Sequence, residues 1–538
     1  MVADGDATEE QPVPVPHRPD LMGSPPVAQW PWRHSILVAV IVGLFLYVAL
    51  RNLADVAGGA DSSGYLNLAT WLERGELLQT TPDLERFDLT GPDMPLLVPL
   101  GLQRGRRPRQ IVAYYPIGLP VQMAALKWLV RSDRGRFLVA PFAGALGLLV
   151  FYVLARQLGL PRSYALSGVA MLAVTPTYLL YSLQPMSDVV ATFWGLLAFT
   201  TAFAARRHLA WTVMAGFAFA MGVLVRPTNI LLLPALLIAT PLNLRAYVLL
   251  GLGGVPLAAC LLAFNAVSYG SVLATGYGEA WRTETAWSYF PDRVEHYVGW
   301  LSTLLTPWVP LSLVVLPFAG GVPRRNRWFL LTWFLPLFVF YCTYYPYAEW
   351  WYTRFLLPVL PALILASLLV TRDILERVRD KADWFWAPTA AHADRARLIR
   401  GAGFGLLAMV VLTGLYQISL RNVLEIDDNE RVYREACLWA KERLPTKAVV
   451  LAMQTSGALE YYTDFVIVRW DQLDSRRFER VDRRVASQGY EWFALLFPHE
   501  AERVRRLVTG KLDQVATFGP ITLFRLIRDE SSAELGGA

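Results

Sequence analysis

The chain has 538 residues, of which 54% are hydrophobic and only 17% charged, and its mean hydropathy is +0.35. Soluble domains average about 25% charged residues, so an ordinary water-soluble enzyme is excluded. The net charge is +6, but the basic residues lie in short stretches between apolar blocks, which argues against nucleic acid as a partner. Cys260, Cys342 and Cys437 are scattered and the six histidines show no ligand spacing, so neither a disulfide framework nor a zinc site is indicated.

Residues 1–34 are rich in Pro, Asp and Glu and too polar to bury a core, and read as a disordered cytoplasmic tail. The block Ser35–Leu50 follows Arg33 and His34 and reads as an uncleaved first span, because the charged leader is long and more apolar blocks follow. Further spans are predicted near 137–156, 163–183, 189–205, 210–225, 228–242, 246–267, 298–319, 328–345, 355–371 and 401–420, about eleven with the first. The basic loops Arg156–Arg162, Arg206–His208, Arg324–Arg327 and Arg372–Arg400 then share one side, the cytoplasm.

Tyr114–Val130 is apolar but broken by Pro116, Gly118 and Pro120 and followed by Arg131, Arg134 and Arg136. Counting it as a span would put the basic loops outside, so it reads as an interfacial or re-entrant helix on the outer face. After Leu420, short apolar runs such as Ala448–Met453, Phe465–Val468 and Trp492–Phe497 alternate with helical patterns, as in a small α/β domain, which parity places outside. It holds no P-loop or GxGxxG. The fold class is therefore a polytopic α-helical membrane protein: a tail 1–34, a transmembrane domain 35–420 with outer loops 51–136 and 268–297, and an extracytoplasmic α/β domain 421–538.

Lys and Arg at the cytoplasmic ends of spans are explained by snorkelling; charges at the opposite ends need another reason. Asp61 follows the first span in Gly58-Gly59-Ala60-Asp61-Ser62-Ser63-Gly64-Tyr65, and the leucine-rich stretch after it is expected to lie flat on the membrane. Tyr65, one turn on, shares a helical face with Asp61. Asp188 and Arg226 mark the outer ends of later spans. Arg354 opens another from the same side, with Glu349, Trp350 and Trp351 placed to orient it. Helix capping by the two aspartates and headgroup anchoring by the arginines are the competing readings.

Such a set suits group transfer from a membrane-embedded phosphoester: a carboxylate takes the proton of an incoming hydroxyl, arginines neutralise the departing phosphate, and aromatic walls take an isoprenoid and a sugar ring. Asp61 is the candidate general base, and Arg226 and Arg354 are the candidate phosphate ligands.

Residues 35–420 resemble the GT-C superfamily of polytopic glycosyltransferases that use polyprenyl-phosphate sugars, of the protein O-mannosyltransferase and lipid A aminoarabinose transferase type. The matching pieces, in order, are Asp61 with Tyr65, Tyr114-Tyr115-Pro116-Ile117-Gly118-Leu119-Pro120, Arg136, Asp188, Arg226-Pro227, Asn265–Tyr277 reading NAVSYGSVLATGY, and Tyr352-Thr353-Arg354-Phe355-Leu356-Leu357-Pro358. The resemblance implies an inverting transfer from a polyprenyl-phosphate sugar to a glycan, lipid or protein hydroxyl outside the plasma membrane, with Asp61 as general base. Tyr65, Tyr115, Arg136, Asp188, Tyr277 and Glu349 are the further substrate-binding candidates. A divalent cation shared by Asp61 and Asp188 is left open, and Asp61 departs from the family's paired acids in being followed by Ser62. A transporter or lipid flippase is the competing class. It would place charges near the midplane between internal repeats, whereas these charges sit at one face and no repeat is visible.

Overall fold

The computed structural model describes residues 32–278, 283–345, 347–385 and 391–528; the expected tail lies almost wholly outside them. Six helices are long and apolar enough to cross a membrane, up to eight if two bent pairs each count as one span. Of the eleven expected segments, these include α1 (Trp32–Arg51), α4 (Val139–Gln157), α7 (Ser187–Ala204), α10 (Leu244–Tyr269), α14 (Leu360–Phe385) and α15 (Ala391–Leu420). Two others, α8 (Trp211–Val225) and α9 (Leu233–Ala239) with its preceding turn, are shorter than a span, and α13 (Arg324–Cys342) opens on three arginines.

Two expected spans are broken. Residues 163–183 form α5 (Arg162–Ala173) and α6 (Pro176–Ser182), bent by 63° at a proline. Residues 298–319 do not form one rod: α11 (Phe290–Leu305) and α12 (Trp308–Val315) meet at 117°. Between them Thr306 adopts φ 73°, and Pro307 disfavours helix in the residue before it.

Basic loops gather at one end of the bundle. Arg325 donates to the carbonyls of Ile238 (2.8 Å) and Ala239 (2.7 Å), Asn326 to that of Leu158 (3.1 Å) and Arg372 to that of Gly159 (2.8 Å). The opposite end carries the first long loop and the C-terminal residues, packed together.

That loop contains α2 (Ala60–Glu73), a three-stranded antiparallel sheet in the order β1 (Leu78–Thr80), β3 (Gln110–Ala113), β2 (Leu102–Arg104), and α3 (Gly118–Val130). The expectation that α2 lies flat on the membrane is corrected: Leu66, Leu68 and Ala69 are fully buried, because the helix is covered by protein on both sides. α3 covers most of the segment expected to be interfacial or re-entrant. It is 13 residues long, ends at left-handed Arg131, and leaves Trp128 81% and Leu129 70% exposed.

The C-terminal residues form a five-stranded mixed sheet in the order β5 (Val466–Arg469), β4 (Ala448–Ala452), β6 (Glu491–Leu496), β8 (Ile521–Ile527), β7 (Lys511–Phe518). β4 pairs in parallel with both neighbours and is buried throughout, which explains its unbroken apolar run. One face of the sheet packs on α16 (Ile426–Arg443) through Ala436, Cys437 and Ala440. The other joins Val449, Leu451 and Trp492 to Leu68, Trp71, Phe87 and Met94 of the first loop in a single core. Polar ties run across the same boundary: Asn67 donates to the Gly457 carbonyl (3.1 Å), the Leu100 amide to Ser456 Oγ (2.9 Å), and Arg434 pairs with Asp55 (2.8 Å).

Candidate functional site

Asp61 is the second residue of α2, whose N-cap is Gly59 and receives no side-chain cap. Its carboxylate points away from the helix amides. One oxygen accepts a hydrogen bond from the Tyr115 hydroxyl (2.5 Å), and the other pairs with Arg354 Nη1 (2.8 Å). Gly64 makes this possible, since a Cβ there would overlap the Tyr115 ring and the Gly101 carbonyl. The Tyr65 ring lies 4.8 Å from that of Tyr115, and its hydroxyl donates to Ser187 Oγ (2.9 Å).

Burial works to raise the Asp61 carboxyl, but the Arg354 guanidinium, then Tyr115 and Arg226, together hold it below the usual carboxylate range. It is ionised at neutral pH. The Tyr115 phenol is pushed well up by its own burial and by the Asp61 charge, so it remains a donor.

Asp188 is likewise the second residue of its helix, α7, and lacks a capping bond. It is 2% exposed and pairs with Arg226 Nη1, while Arg226 Nη2 contacts the Tyr341 hydroxyl (3.1 Å), which contacts Thr228 Oγ1 (3.1 Å). Arg354 lies 5.2 to 5.8 Å from the Phe355, Tyr181 and Tyr352 rings, and its Nε has no hydrogen-bond partner among the described residues.

Two cavities meet at Asp61, Tyr352 and Arg354, which line both. The first, about 280 Å³, is walled by tyrosines and contains Arg226, Asp188 and Glu284. The second, about 480 Å³, runs from Asp61 past Trp350 and Trp351 to Arg421, Asn429 and Glu430. The Asp61–Arg354 pair thus stands in the wall between them.

Of the residues singled out from sequence, Asp61, Tyr65, Tyr115, Asp188, Arg226, Tyr277 and Arg354 all line the first cavity. Tyr277 packs edge-on to Tyr114 (5.4 Å). Arg136 lies elsewhere: it is 6% exposed, grips Glu73 with two 2.6 Å bonds and contacts the Tyr461 hydroxyl (2.9 Å), a tie between the first loop and the C-terminal residues. Glu349 is exposed at the N-cap of the 3₁₀ segment Trp350–Val359 and lines neither cavity.

A third acid lines the first cavity beside Asp61 and Asp188: Glu284, which accepts from the Tyr344 hydroxyl (2.5 Å). Sequence reasoning passed over it, and over Glu430, because neither stands at a span end. The run Tyr344-Tyr345-Pro346-Tyr347 was the available signal for the aromatic wall. The carboxylates of Asp61 and Asp188 each face an arginine. No group of three or more His, Cys, Asp or Glu able to hold a metal ion occurs among the described residues. The two acids therefore do not fit a shared cation.

The family model described as dolichyl-phosphate-mannose-protein mannosyltransferase matches residues 123–268. Among solved structures, ArnT from Cupriavidus metallidurans aligns over 92% of this chain and 98% of its own at 13% identity, with a TM-score of 0.56. At this identity the likeness is one of fold: the chain shares the architecture of ArnT over nearly its whole length. The Archaeoglobus fulgidus oligosaccharyltransferase tethered to an acceptor peptide aligns over 93% of this chain and 74% of its own (12% identity, TM-score 0.54). The mycobacterial arabinofuranosyltransferase AftD aligns over 94% of this chain and 40% of its own (10% identity, TM-score 0.52). No curated protein sequence matches the chain significantly. Among the described residues, six helices, or eight counting the bent pairs, are long and apolar enough to cross a membrane, against about eleven expected.

Proposed function

We propose that this protein is a GT-C glycosyltransferase that moves a sugar from a polyprenyl-phosphate donor to an acceptor hydroxyl on the outer face of the membrane, with inversion and with Asp61 as general base. The observation that carries the reading is the place of Asp61: an ionised carboxylate in the wall between two cavities, one of which holds Arg226. The donor's phosphate and sugar occupy the tyrosine-walled cavity, and the acceptor enters the larger one.

The acceptor oxygen attacks the anomeric carbon from the side opposite the phosphate. The bond from that carbon to the phosphate oxygen breaks, its electron pair leaves with the polyprenyl phosphate, and the hydroxyl proton passes to Asp61. Arg354 and Arg226 face the charge that grows on the leaving phosphate, in a site screened from bulk water where such charges act strongly. Asp188 and Tyr341 hold Arg226 in place.

The donor class is supported by the ArnT structure bound to undecaprenyl phosphate and by the Archaeoglobus fulgidus enzyme in complex with a dolichol-phosphate, each a statement about that protein. Orientation follows from charge: the end bearing Arg325 and Arg372 faces the cytoplasm, which puts α2 and the C-terminal sheet outside. The test is transfer by purified chain in proteoliposomes given polyprenyl-phosphate sugars extracted from its host's membranes. Product whose anomeric configuration is opposite to the donor's, read by NMR, is expected; retained configuration or no donor consumption would sink the reading.

A further inference from the structure

The larger cavity has a composition that the transfer chemistry alone does not require. Its lining includes Trp350, Trp351 and Tyr352, together with the polar residues Gln184 and, from the start of α16, Asn429 and Glu430. Flat aromatic faces beside carboxylate and amide groups match the two surfaces of a sugar ring: its C–H face packs on indole or phenol, and its hydroxyls at the rim take hydrogen bonds. Leu180, Met186, Val423 and Ile426 also line the cavity, with Arg421, so the saccharide reading rests on the aromatic rings together with the polar groups beside Asp61.

Glu430 is the built element of this wall. Its carboxylate lies on the backbone of the loop that leads into α2, where a Cβ at Gly58 would overlap it and where the Gly59 amide donates to it. Gly58 therefore keeps its place open. The loop that delivers Asp61 to the reaction and the helix that delivers Glu430 are thus in contact, and both line the same 480 Å³ space, a size in the range of small-ligand sites.

We propose that this cavity is the acceptor site and takes a saccharide, with Glu430 accepting a hydrogen bond from a ring hydroxyl next to the one that Asp61 deprotonates. The inference rests on the glycosyl-transfer reading and deepens it by naming the acceptor class. Glu430 is a specificity residue: it fixes the ring so that one hydroxyl meets Asp61.

The experiment offers the full-length protein in proteoliposomes three acceptors in parallel with the same extracted donor: oligosaccharides released from the host's cell envelope, a serine- and threonine-containing peptide library, and short-chain phosphatidylethanolamine. Product on the oligosaccharide fraction is expected. Assayed near pH 8, where the Glu430 carboxyl is ionised, Glu430→Gln should raise the acceptor KM roughly tenfold or more with kcat changed by less than about threefold, as loss of a charge-assisted hydrogen bond requires. Gly58→Ala, which displaces the carboxylate without altering it, should reproduce the KM effect in protein that still migrates as a single folded species. Product on peptide or phosphatidylethanolamine, or wild-type acceptor KM in both variants, would overturn the proposal while leaving glycosyl transfer intact. Absence of donor consumption by the wild type would overturn the transfer reading and this one with it.

Discussion

An aspartate in the first turn of a helix ordinarily binds that helix's own amides. Asp61 instead faces Tyr115 and Arg354, so its negative charge is directed at the cavities. Because Tyr115 stabilises the ionised form, Tyr115→Phe should raise the Asp61 pKa and shift the acid limb of the pH dependence of kcat/KM to higher pH, with a loss of about tenfold or less at neutral pH. A pH–rate profile whose acid limb does not move would contradict that role. The charges that build the site were legible in the sequence because they stand at span ends opposite the basic loops. Their pairing was not, since 61 meets 354 and 188 meets 226 only through the fold. Glu349 shows the reverse error. It is near Arg354 in sequence, but a 3₁₀ segment turns 120° per residue, so five positions place the two on different faces.

Apolar length and turn chemistry made most elements readable, including the three runs that became β4, β5 and β6. What hid the breaks was uniform apolar composition: α11 and α12 read as one block, although Thr306-Pro307 marked the turn. Likewise α2 looks amphipathic alone, and only the C-terminal sheet, remote in sequence, shows why its leucines are buried. α16 offers a test at this scale. Burial raises the Glu430 carboxyl to about 7, against which the Gly59 amide pulls it down. An unfolded glutamate titrates near ~4.3, so between that pH and about 7 the native state holds the extra proton, and this group's contribution to stability falls as pH rises through the window. Glu430→Gln cannot ionise. Its thermal unfolding should vary less with pH than the wild type's across that interval, and parallel curves would contradict the half-buried placement of Glu430 against Gly58.

At the level of the whole molecule, the first loop and the C-terminal sheet share one core, which makes them a single lid over the end of the bundle where Asp61 sits. The lid and the basic loops occupy opposite ends, so in a cysteine-free background Asp513→Cys should react with an impermeant maleimide in intact cells, and Arg207→Cys only after permeabilisation. The reverse pattern would place Asp61 in the wrong compartment. The most direct test of the account is turnover by Asp61→Asn in proteoliposomes with the extracted lipid-linked donor. Asparagine keeps the shape and cannot take the proton, so kcat should fall by about two to four orders of magnitude with the protein still folded. Turnover within a few-fold of the wild type would contradict the assignment of Asp61 as the base.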